Sequence, residues 1–172
     1  MSGGPKLIIR FAGVEDADDI FSALVGIAET VKELHKLKST ADDIRRFGFG
    51  EAPAFEALIA EIDGRFAGCC LYFTSFSTWI GRPGVYVQDF YVADEFRGQG
   101  VGERLLQRLA AVTRKRGGCY IRLAVDTQNH RAQAFYARAG IKHSDTEQIH
   151  AAYDEDFEAL ADADRDGQAA PD

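Results

Sequence analysis

A glycine-rich run decides the fold, and it reads Arg97-Gly98-Gln99-Gly100-Val101-Gly102. An apolar segment from 85 to 92 precedes it and predicts a β-strand, and apolar residues recur after it at helical spacing. Gly117-Gly118 ends the predicted helix, because glycine accepts the left-handed backbone of a helix stop. The run thus joins a strand to the first turn of a helix, where unpaired N–H groups and the helix dipole attract an anion. Missing side chains let phosphate oxygens approach the backbone, so the run is predicted to hold a pyrophosphate.

Two better-known phosphate loops do not fit this run. The dinucleotide fingerprint needs a third glycine where this chain has Glu103. The nucleotide P-loop ends in Gly-Lys-Ser/Thr, whereas Gly102 is followed by Glu103-Arg104. The pattern that fits is Arg/Gln-x-x-Gly-x-Gly, which Arg97, Gly100 and Gly102 supply. For so short a run, a purely structural turn remains the alternative.

The glycine pattern resembles the acetyl-CoA loop of the GNAT superfamily of N-acetyltransferases, and other segments extend the resemblance. Residues 129–140 resemble that superfamily's second motif, in which an asparagine precedes a helix that carries Phe-Tyr and ends at a glycine. Residues 47–51, 78–81 and 87–92 resemble one branch, the spermidine/spermine (diamine) acetyltransferases and their thialysine-acetylating relatives. These segments read Phe47-Gly48-Phe49-Gly50-Glu51, Thr78-Trp79-Ile80-Gly81, Val87-Gln88-Asp89-Phe90-Tyr91-Val92 and Asn129-His130-Arg131-Ala132-Gln133-Ala134-Phe135-Tyr136-Ala137-Arg138-Ala139-Gly140.

The resemblance implies an α+β (mixed α/β) fold, the acyl-CoA N-acyltransferase fold of a single domain. Its central sheet is mostly antiparallel, is flanked by helices and splays where acetyl-CoA enters. We expect one N-acetyltransferase domain over residues 1–172, with a core at about 6–158 and a flexible acidic tail at 159–172. The resemblance also implies acetyl-CoA as the cosubstrate and a homodimer.

Local patterns predict the elements of this fold. One amphipathic helix opens near Asp16, and a capping box at Thr40 starts a second helix that ends at Gly48. Asp63-Gly64 predicts the turn of a hairpin. Two later helices are expected at 100–116 and 132–139. The expected strands cover residues 7–10, 55–62, 66–76, 85–92, 120–125 and, weakly, 149–153.

Composition and charge narrow the class of protein. At 172 residues, with 46% apolar and 27% charged residues, the chain is typical of a soluble globular domain. Its net charge of -7 argues against nonspecific nucleic-acid binding and is compatible with a cationic substrate. The cysteines and histidines lack metal-ligand spacing, so no metal is assigned. No long apolar run or signal peptide appears, so we expect a cytoplasmic protein without a membrane segment.

The resemblance assigns the cofactor contacts. The strand before the glycine run is expected to hydrogen-bond the pantetheine arm through its backbone. Arg97 and the N–H groups of the run are expected to hold the pyrophosphate. Asn129 is expected either to cap the second helix or to bond the cofactor. The predicted cofactor-binding residues are Phe90, Tyr91, Val92, Arg97, Gly98, Gln99, Gly100, Val101, Gly102 and Asn129.

Three residues are the candidates for catalysis. Tyr136 occupies the position where relatives place a tyrosine that protonates the departing CoA thiolate; the alternative is a core aromatic beside Phe135. Gln88 stands where diamine acetyltransferases place a glutamate that takes the amine's proton through water, and an amide cannot accept that proton. Asp89 is therefore the substitute candidate, either as base or as anchor for the ammonium. Adjacent strand residues face opposite sides, so the entry of both Gln88 and Asp89 into the site requires a bulge.

These residues predict direct transfer of acetyl from acetyl-CoA to a primary amine of a small molecule, within a ternary complex. The acceptor lies between diamines or polyamines and lysine-like amino acids. The segment 32–38 is mixed and largely basic where polyamine-acetylating relatives are acidic, so a shorter amine or one with a carboxylate suits Lys36 and Lys38 better. A CoA-binding module that has lost catalysis is the rival, favoured by Gln88 and opposed by Tyr136. A protein or peptide N-acetyltransferase is a third alternative.

Overall fold

The structure, a computed structural model, describes residues 6–164. The chain divides into two compact units after Ile141. Among residues 6–164, the first unit contains the sheet and four α-helices, and the second contains one α-helix. That a single domain spans residues 1–172 stays a prediction, and residues 165–172 of the predicted tail lie outside the described residues.

Five strands in the first unit form one sheet in the order β1-β2-β3-β4-β5. Strands β1 to β4 pair antiparallel, and β5 pairs parallel to β4. This arrangement confirms the predicted mostly antiparallel sheet. The strands are β1 Leu7–Phe11, β2 Glu56–Ile62, β3 Arg65–Ser77, β4 Arg82–Val92 and β5 Ile121–Leu123.

The two sides of β4 are paired to different lengths. β3 pairs with β4 from Arg82 to Val92, whereas β5 pairs only with Val85, Tyr86 and Val87. Within the part of the chain that the structure describes, residues 88–92 therefore have no strand neighbour on the β5 side. Apart from the carbonyl of Val92, which accepts a hydrogen bond from Arg97 Nε, their backbone groups on that edge are available to an extended ligand, as the predicted splay requires.

Four α-helices belong to the first unit, and their starts and stops follow the sequence signals. Thr40 Oγ1 accepts a hydrogen bond from Asp43 N at 3.3 Å, and Thr40 N donates to Asp43 Oδ2 at 2.8 Å, which confirms the capping box. Asp63 and Gly64 both have positive φ, 51° and 78°, as a two-residue hairpin turn requires. The helices are α1 Ala17–Thr30, α2 Ala41–Phe49, α3 Val101–Lys115 and α4 His130–Arg138.

Each face of the sheet buries its own apolar cluster. Leu105 and Leu109 of α3 are fully buried on one face, and each such side chain stabilises the fold by about 1.5–3 kcal/mol. Ile20 of α1 and Ile44 of α2 are buried on the other face. Strand residues alternate between the two clusters, since Leu58 and Cys70 belong to the first and Ile59, Cys69 and Leu71 to the second.

The β3–β4 hairpin reaches beyond β2, which pairs with β3 only as far as Tyr72. We call residues 73–84 the arm. Phe73 at its base stacks on Tyr86, with ring centroids 5.2 Å apart. Phe76, Trp79 and Ile80 are exposed, and the side chain of Trp79 at the tip is 99% exposed.

The second unit corrects one expectation. Residues 149–153 form no strand, so the predicted last strand is wrong. Ile149 and Tyr153 are both exposed, which leaves this short segment without an apolar face to bury in a sheet. A fifth helix, α5 Asp154–Asp162, follows and extends into the predicted tail. Three acidic residues occupy its first turn, where they favour a helix start through the helix dipole.

None of the helices in residues 6–164 is long and apolar enough to cross a membrane.

Candidate active site

A β-bulge interrupts β4 at Gln88. Tyr72 of β3 pairs with Val87, and the next residue of β3, Leu71, pairs with Asp89. Gln88 is therefore the extra residue that a bulge inserts into one strand. The predicted entry of both Gln88 and Asp89 into the site depends on such a bulge, and the structure has it at this position.

The bulge also determines on which face of the sheet each side chain at the end of β4 lies. Val85 and Val87 lie in the α3-side cluster, and Phe90 and Val92 pack against that same cluster. In a regular strand, positions 87 and 90 would face opposite sides. Tyr91 consequently packs in the other cluster, beneath α1, where a Cβ on Gly26 would lie 2.8 Å from its ring.

Asp89 is a half-buried carboxylate beside this bulge. Burial raises its pKa above the usual aspartate value. Among the described residues, none forms a hydrogen bond or an ion pair with the Asp89 side chain. A carboxylate with a raised pKa and no neutralising partner has the properties of a proton acceptor or of an anchor for a cation. Gln88 next to it is exposed.

Tyr136 reaches the same strand from α4. Its ring meets that of Phe90 edge-on, with centroids 6.0 Å apart, and Phe135 packs beside both. Burial raises the pKa of the Tyr136 hydroxyl, and Cys70 adds a smaller effect in the same direction. The phenol therefore keeps its proton at neutral pH, so it can donate that proton to a departing thiolate.

The glycines of the run have two different roles. Gly98 and Gly100 adopt φ of 76° and 79°, and no atom lies within 4 Å of a Cβ placed on either. Gly102 instead lies inside α3, where a Cβ would come 3.0 Å from the ring of Phe135. Gly98 and Gly100 thus leave open space at the backbone for a phosphate, while Gly102 allows α3 to approach the aromatic residues of α4.

The first turn of α3 points N–H groups into this space. Arg104 N donates to Gly100 O at 3.0 Å and makes the first i to i−4 bond of the helix. The N–H groups of residues 101–103 precede that bond and have no carbonyl within the helix to pair with. A pyrophosphate fits this arrangement, because unpaired N–H groups and open space at Gly98 and Gly100 lie together at the positive end of a helix.

Side chains around the run are held by their neighbours. Arg97 Nε donates to Val92 O at 3.1 Å, and Arg97 Nη1 forms an ion pair with Asp94 Oδ1 at 2.6 Å. Gln99 Nε2 donates to Glu95 O at 2.9 Å. The guanidinium of Arg97 is thus held by the end of β4 and by the 3-10 turn Asp94–Phe96 that precedes the glycine run.

Asn129 caps α4, since its Oδ1 accepts a hydrogen bond from Ala132 N at 3.0 Å. Of the two roles predicted for Asn129, the structure contains the helix cap. The cap fixes the start of the helix that carries Tyr136.

Three predicted groups therefore lie along β4 or directly after it: the bulge at Gln88 and Asp89 within the strand, Tyr136 against Phe90, and the glycine run after the strand ends. Sequence reasoning missed the partner of Arg97. Asp94 stands three residues before Arg97, a spacing at which oppositely charged side chains meet in a helical turn, and that spacing was available as a signal.

This fold is that of the N-acetyltransferases that use acetyl-CoA. The model of the Acetyltransferase (GNAT) family matches residues 22–141, and the chain belongs to that family. It is an acetyl-CoA-dependent N-acetyltransferase of the diamine and thialysine branch.

Individual relatives agree with this assignment. Thialysine N-epsilon-acetyltransferase of Bos taurus is 37% identical over 142 residues, which cover 78% of this chain and 83% of that protein. Spermidine/spermine N(1)-acetyltransferase-like protein 1 of Homo sapiens is 32% identical over 111 residues, which cover 60% of this chain and 16% of that protein. The crystal structure of a ribosomal-protein-alanine N-acetyltransferase from Brucella melitensis biovar Abortus 2308 superposes with a TM-score of 0.70 at 19% identity, covering 87% of this chain and 100% of that one. This last likeness concerns the fold alone.

Proposed function

We propose that this enzyme acetylates a primary amine of a small molecule, a diamine or a lysine-like amino acid, by direct attack of the amine on acetyl-CoA within a ternary complex. One observation carries the proposal: the half-buried Asp89 carboxylate, which has no hydrogen-bond or ion-pair partner among the described residues, lies at a bulge in the strand that leads into the glycine run. The 37% identity to a thialysine N-epsilon-acetyltransferase supports an acceptor of this size.

The proposed cofactor contacts follow the open edge of β4 and the start of α3. Backbone groups of Phe90, Tyr91 and Val92 would bond the pantetheine arm as an added strand does. Residues 98–102 would hold the pyrophosphate through their N–H groups, with Arg97 beside them. Asn129 caps α4 through its Oδ1, and its predicted bond to the cofactor stays a prediction.

Asp89 is proposed to assist the deprotonation of the amine. An alkyl ammonium with a pKa near ~10.4 must lose its proton before it attacks, which costs roughly 4.6 kcal/mol at pH 7. A carboxylate within reach attracts the ammonium and accepts its proton, directly or through water. Gln88, exposed beside it, can orient that water but cannot take the proton.

Tyr136 completes the reaction as the general acid. Because burial raises its pKa, the hydroxyl is protonated when the thiolate of CoA departs, and it donates its proton to that sulfur. The amine's proton leaves by Asp89 and the thiolate's proton arrives from Tyr136, so the two transfers involve different residues.

The acceptor's far end is proposed to lie near the connection between α1 and α2. This connection contains Lys32, Lys36 and Lys38 but a single acidic residue, Glu33, which pairs with Lys36, so its net charge is positive. A cationic tail would be repelled there, whereas a carboxylate would be attracted, which favours a lysine-like amino acid over a long polyamine.

A CoA-binding module without catalysis is the second candidate, and Gln88 in place of a glutamate is the observation that favours it. A protein or peptide acetyltransferase is the third. We also propose, from the resemblance, a cytoplasmic homodimer.

The test is release of free CoA from acetyl-CoA with spermidine, putrescine, lysine, thialysine and a short peptide, each from about pH 7 to 9.5, a range that spans neutral pH and approaches the amine pKa. We expect turnover above the amine-free blank with lysine or thialysine. Tyr136→Phe should lower kcat by about 10²–10⁴-fold. Tyr153→Phe, a change at an exposed tyrosine, is the matched control and should leave kcat unchanged.

Other outcomes select the alternatives. CoA binding without turnover of any amine would support the non-catalytic module, and turnover of the peptide alone would support a peptide acetyltransferase. Equal kcat for Tyr136→Phe and the parent enzyme would show that another group protonates the thiolate.

A further inference from the structure

Arg97 has only one favourable edge left for binding an anion. A guanidinium offers five N–H donors in a fixed, planar fork. Arg97 Nε donates to the carbonyl of Val92 at 3.1 Å, so the edge that contains Nε is committed to the protein backbone. The edge formed by Nη1 and Nη2 is the one that can pair with two phosphate oxygens at once.

Asp94 already occupies part of that edge. Its Oδ1 lies 2.6 Å from Arg97 Nη1. The Asp94 side chain is 82% exposed and that of Arg97 is 30% exposed, so the carboxylate can swing into solvent while the guanidinium stays fixed. An exposed ion pair of this kind is weak and is screened by salt.

We propose that Asp94 is a positioning residue that competes with the pyrophosphate of CoA for Arg97. In this proposal Asp94 pairs with Arg97 until a pyrophosphate takes the Nη1–Nη2 edge, and it displaces the pyrophosphate again when CoA leaves. Asp94 holds the guanidinium ready beside the glycine run, lowers the affinity for CoA and favours product release. The inference rests on the proposed role of Arg97 in binding the pyrophosphate.

The neighbouring residue provides a matched control. Glu95 stands in the same 3-10 turn, is also exposed, and pairs with Arg65 at 2.6 Å and not with Arg97. Glu95→Gln removes the same charge from the same turn, so it reports the general effect of one fewer negative charge near a polyanionic ligand.

The experiment measures the Kd of CoA by calorimetry, at about 50 mM and about 500 mM salt, where the screening length falls from more than 10 Å to a few ångströms. Arg97→Gln should weaken binding by about tenfold or more, since it removes a charged hydrogen-bond donor. Asp94→Asn should tighten binding at low salt by about twofold to fivefold, the range expected for release of one exposed ion pair. Glu95→Gln should change the Kd less than Asp94→Asn, and high salt should reduce the difference between them.

A double variant tests whether the effect of Asp94 on CoA binding acts through Arg97. In an Arg97→Gln background, Asp94→Asn should change the Kd no more than Glu95→Gln does. Weaker binding by Asp94→Asn, or an effect equal to that of Glu95→Gln in the parent enzyme, would overturn the competition. If Arg97→Gln bound CoA as tightly as the parent enzyme, the proposed role of Arg97 would fail first, and the competition with it.

Melting curves separate this role from a purely structural one. Asp94 begins the 3-10 turn Asp94–Phe96, so a structural role would lower the melting temperature in step with a loss of affinity. If Asp94 competes with the pyrophosphate, Asp94→Asn should instead raise the affinity for CoA, and it should lower kcat wherever CoA release limits turnover.

Discussion

Asp89 combines an effect on catalysis with an effect on stability. Its carboxylate is half-buried, and among the described residues no hydrogen bond or ion pair compensates for the charge. Ionising it therefore favours the unfolded chain, in which water surrounds the carboxylate. The presence of a residue that destabilises the fold at this position is explained by its proposed contact with the amine.

This feature predicts how stability depends on pH. Since the pKa of Asp89 is raised in the folded protein, its contribution is most favourable at low pH and is lost as pH rises from the unfolded value of 3.8 through the folded value. Relative to Asp89→Asn, the parent enzyme should therefore lose free energy of unfolding across that interval. Urea unfolding of both proteins at about pH 4 and pH 7 measures the difference.

The same variant should have a much lower kcat/KM with every amine, because an amide cannot accept a proton. A stable and fully active Asp89→Asn enzyme would exclude Asp89 as both base and anchor. Asp43→Asn is unsuitable as a control, since Asp43 completes a helix cap; Asp42 is exposed and pairs only locally with Arg45, so Asp42→Asn serves instead.

At the scale of single elements, substitutions at glycines can distinguish the effect of backbone strain on stability from the effect of lost ligand binding. Gly100 and Gly64 have nearly the same φ, 79° and 78°, and both face open space, but Gly64 lies in the β2–β3 turn. Alanine at either position should destabilise the fold by about 1–2 kcal/mol, because the left-handed backbone disfavours a side chain. Only Gly100→Ala should weaken CoA binding, as calorimetry would show. Equal loss of affinity in both variants would contradict the proposed pyrophosphate site.

A partly buried ion network joins β1, β2 and the start of α1. Arg10 donates to both carboxylate oxygens of Asp16, at 2.7 and 2.8 Å, and to Glu61 Oε1 at 2.7 Å. Gly13 N also donates to Asp16, whose side chain is 6% exposed. This network fixes the angle at which α1 leaves the sheet, and α1 covers Tyr91 at the end of β4.

Breaking this network should destabilise the protein, although none of its residues is a predicted site residue. Asp16→Asn should lower the free energy of unfolding by about 2 kcal/mol at pH 7, since it weakens charged hydrogen bonds. Because Arg10 holds the pKa of Asp16 below its usual value, this contribution is present above the unfolded pKa and is lost as pH falls through the folded one. Chemical denaturation over that pH range is the measurement, and a constant difference between the two proteins would contradict the assignment.

At the scale of the whole molecule, some features could be predicted from sequence and others could not. Turns, caps and strand–helix order follow local rules, so the capping box at Thr40 and the Asp63-Gly64 turn are confirmed. The bulge at Gln88 is a non-local feature, because it depends on how β3 pairs with β4. The ion pair between Asp94 and Arg97 was missed although its spacing is local, and the strand at 149–153 was predicted where neither end of the segment is buried.

The exposed arm is the surface through which we expect two copies of the chain to associate. It presents exposed Phe76, Trp79 and Ile80 next to β3 backbone groups that β2 does not pair, a combination that suits a second, identical strand edge. We expect a homodimer by analytical ultracentrifugation that Trp79→Ser together with Phe76→Ser weakens. Ile149→Ser, a change at an apolar residue exposed in the second unit, should leave the dimer intact. Dimers unaffected by the arm variant would place the interface elsewhere.

Trp79 is the single tryptophan of the sequence, and it stands at the tip of the arm. The ultraviolet emission of this protein therefore comes from one indole that water surrounds almost completely. Its spectrum should be red-shifted in the folded monomer and should change little when the core melts. If a second copy of the chain covers the arm, the emission should shift to shorter wavelength as the protein concentration rises. The single tryptophan therefore reports association of the chains and not unfolding of the monomer.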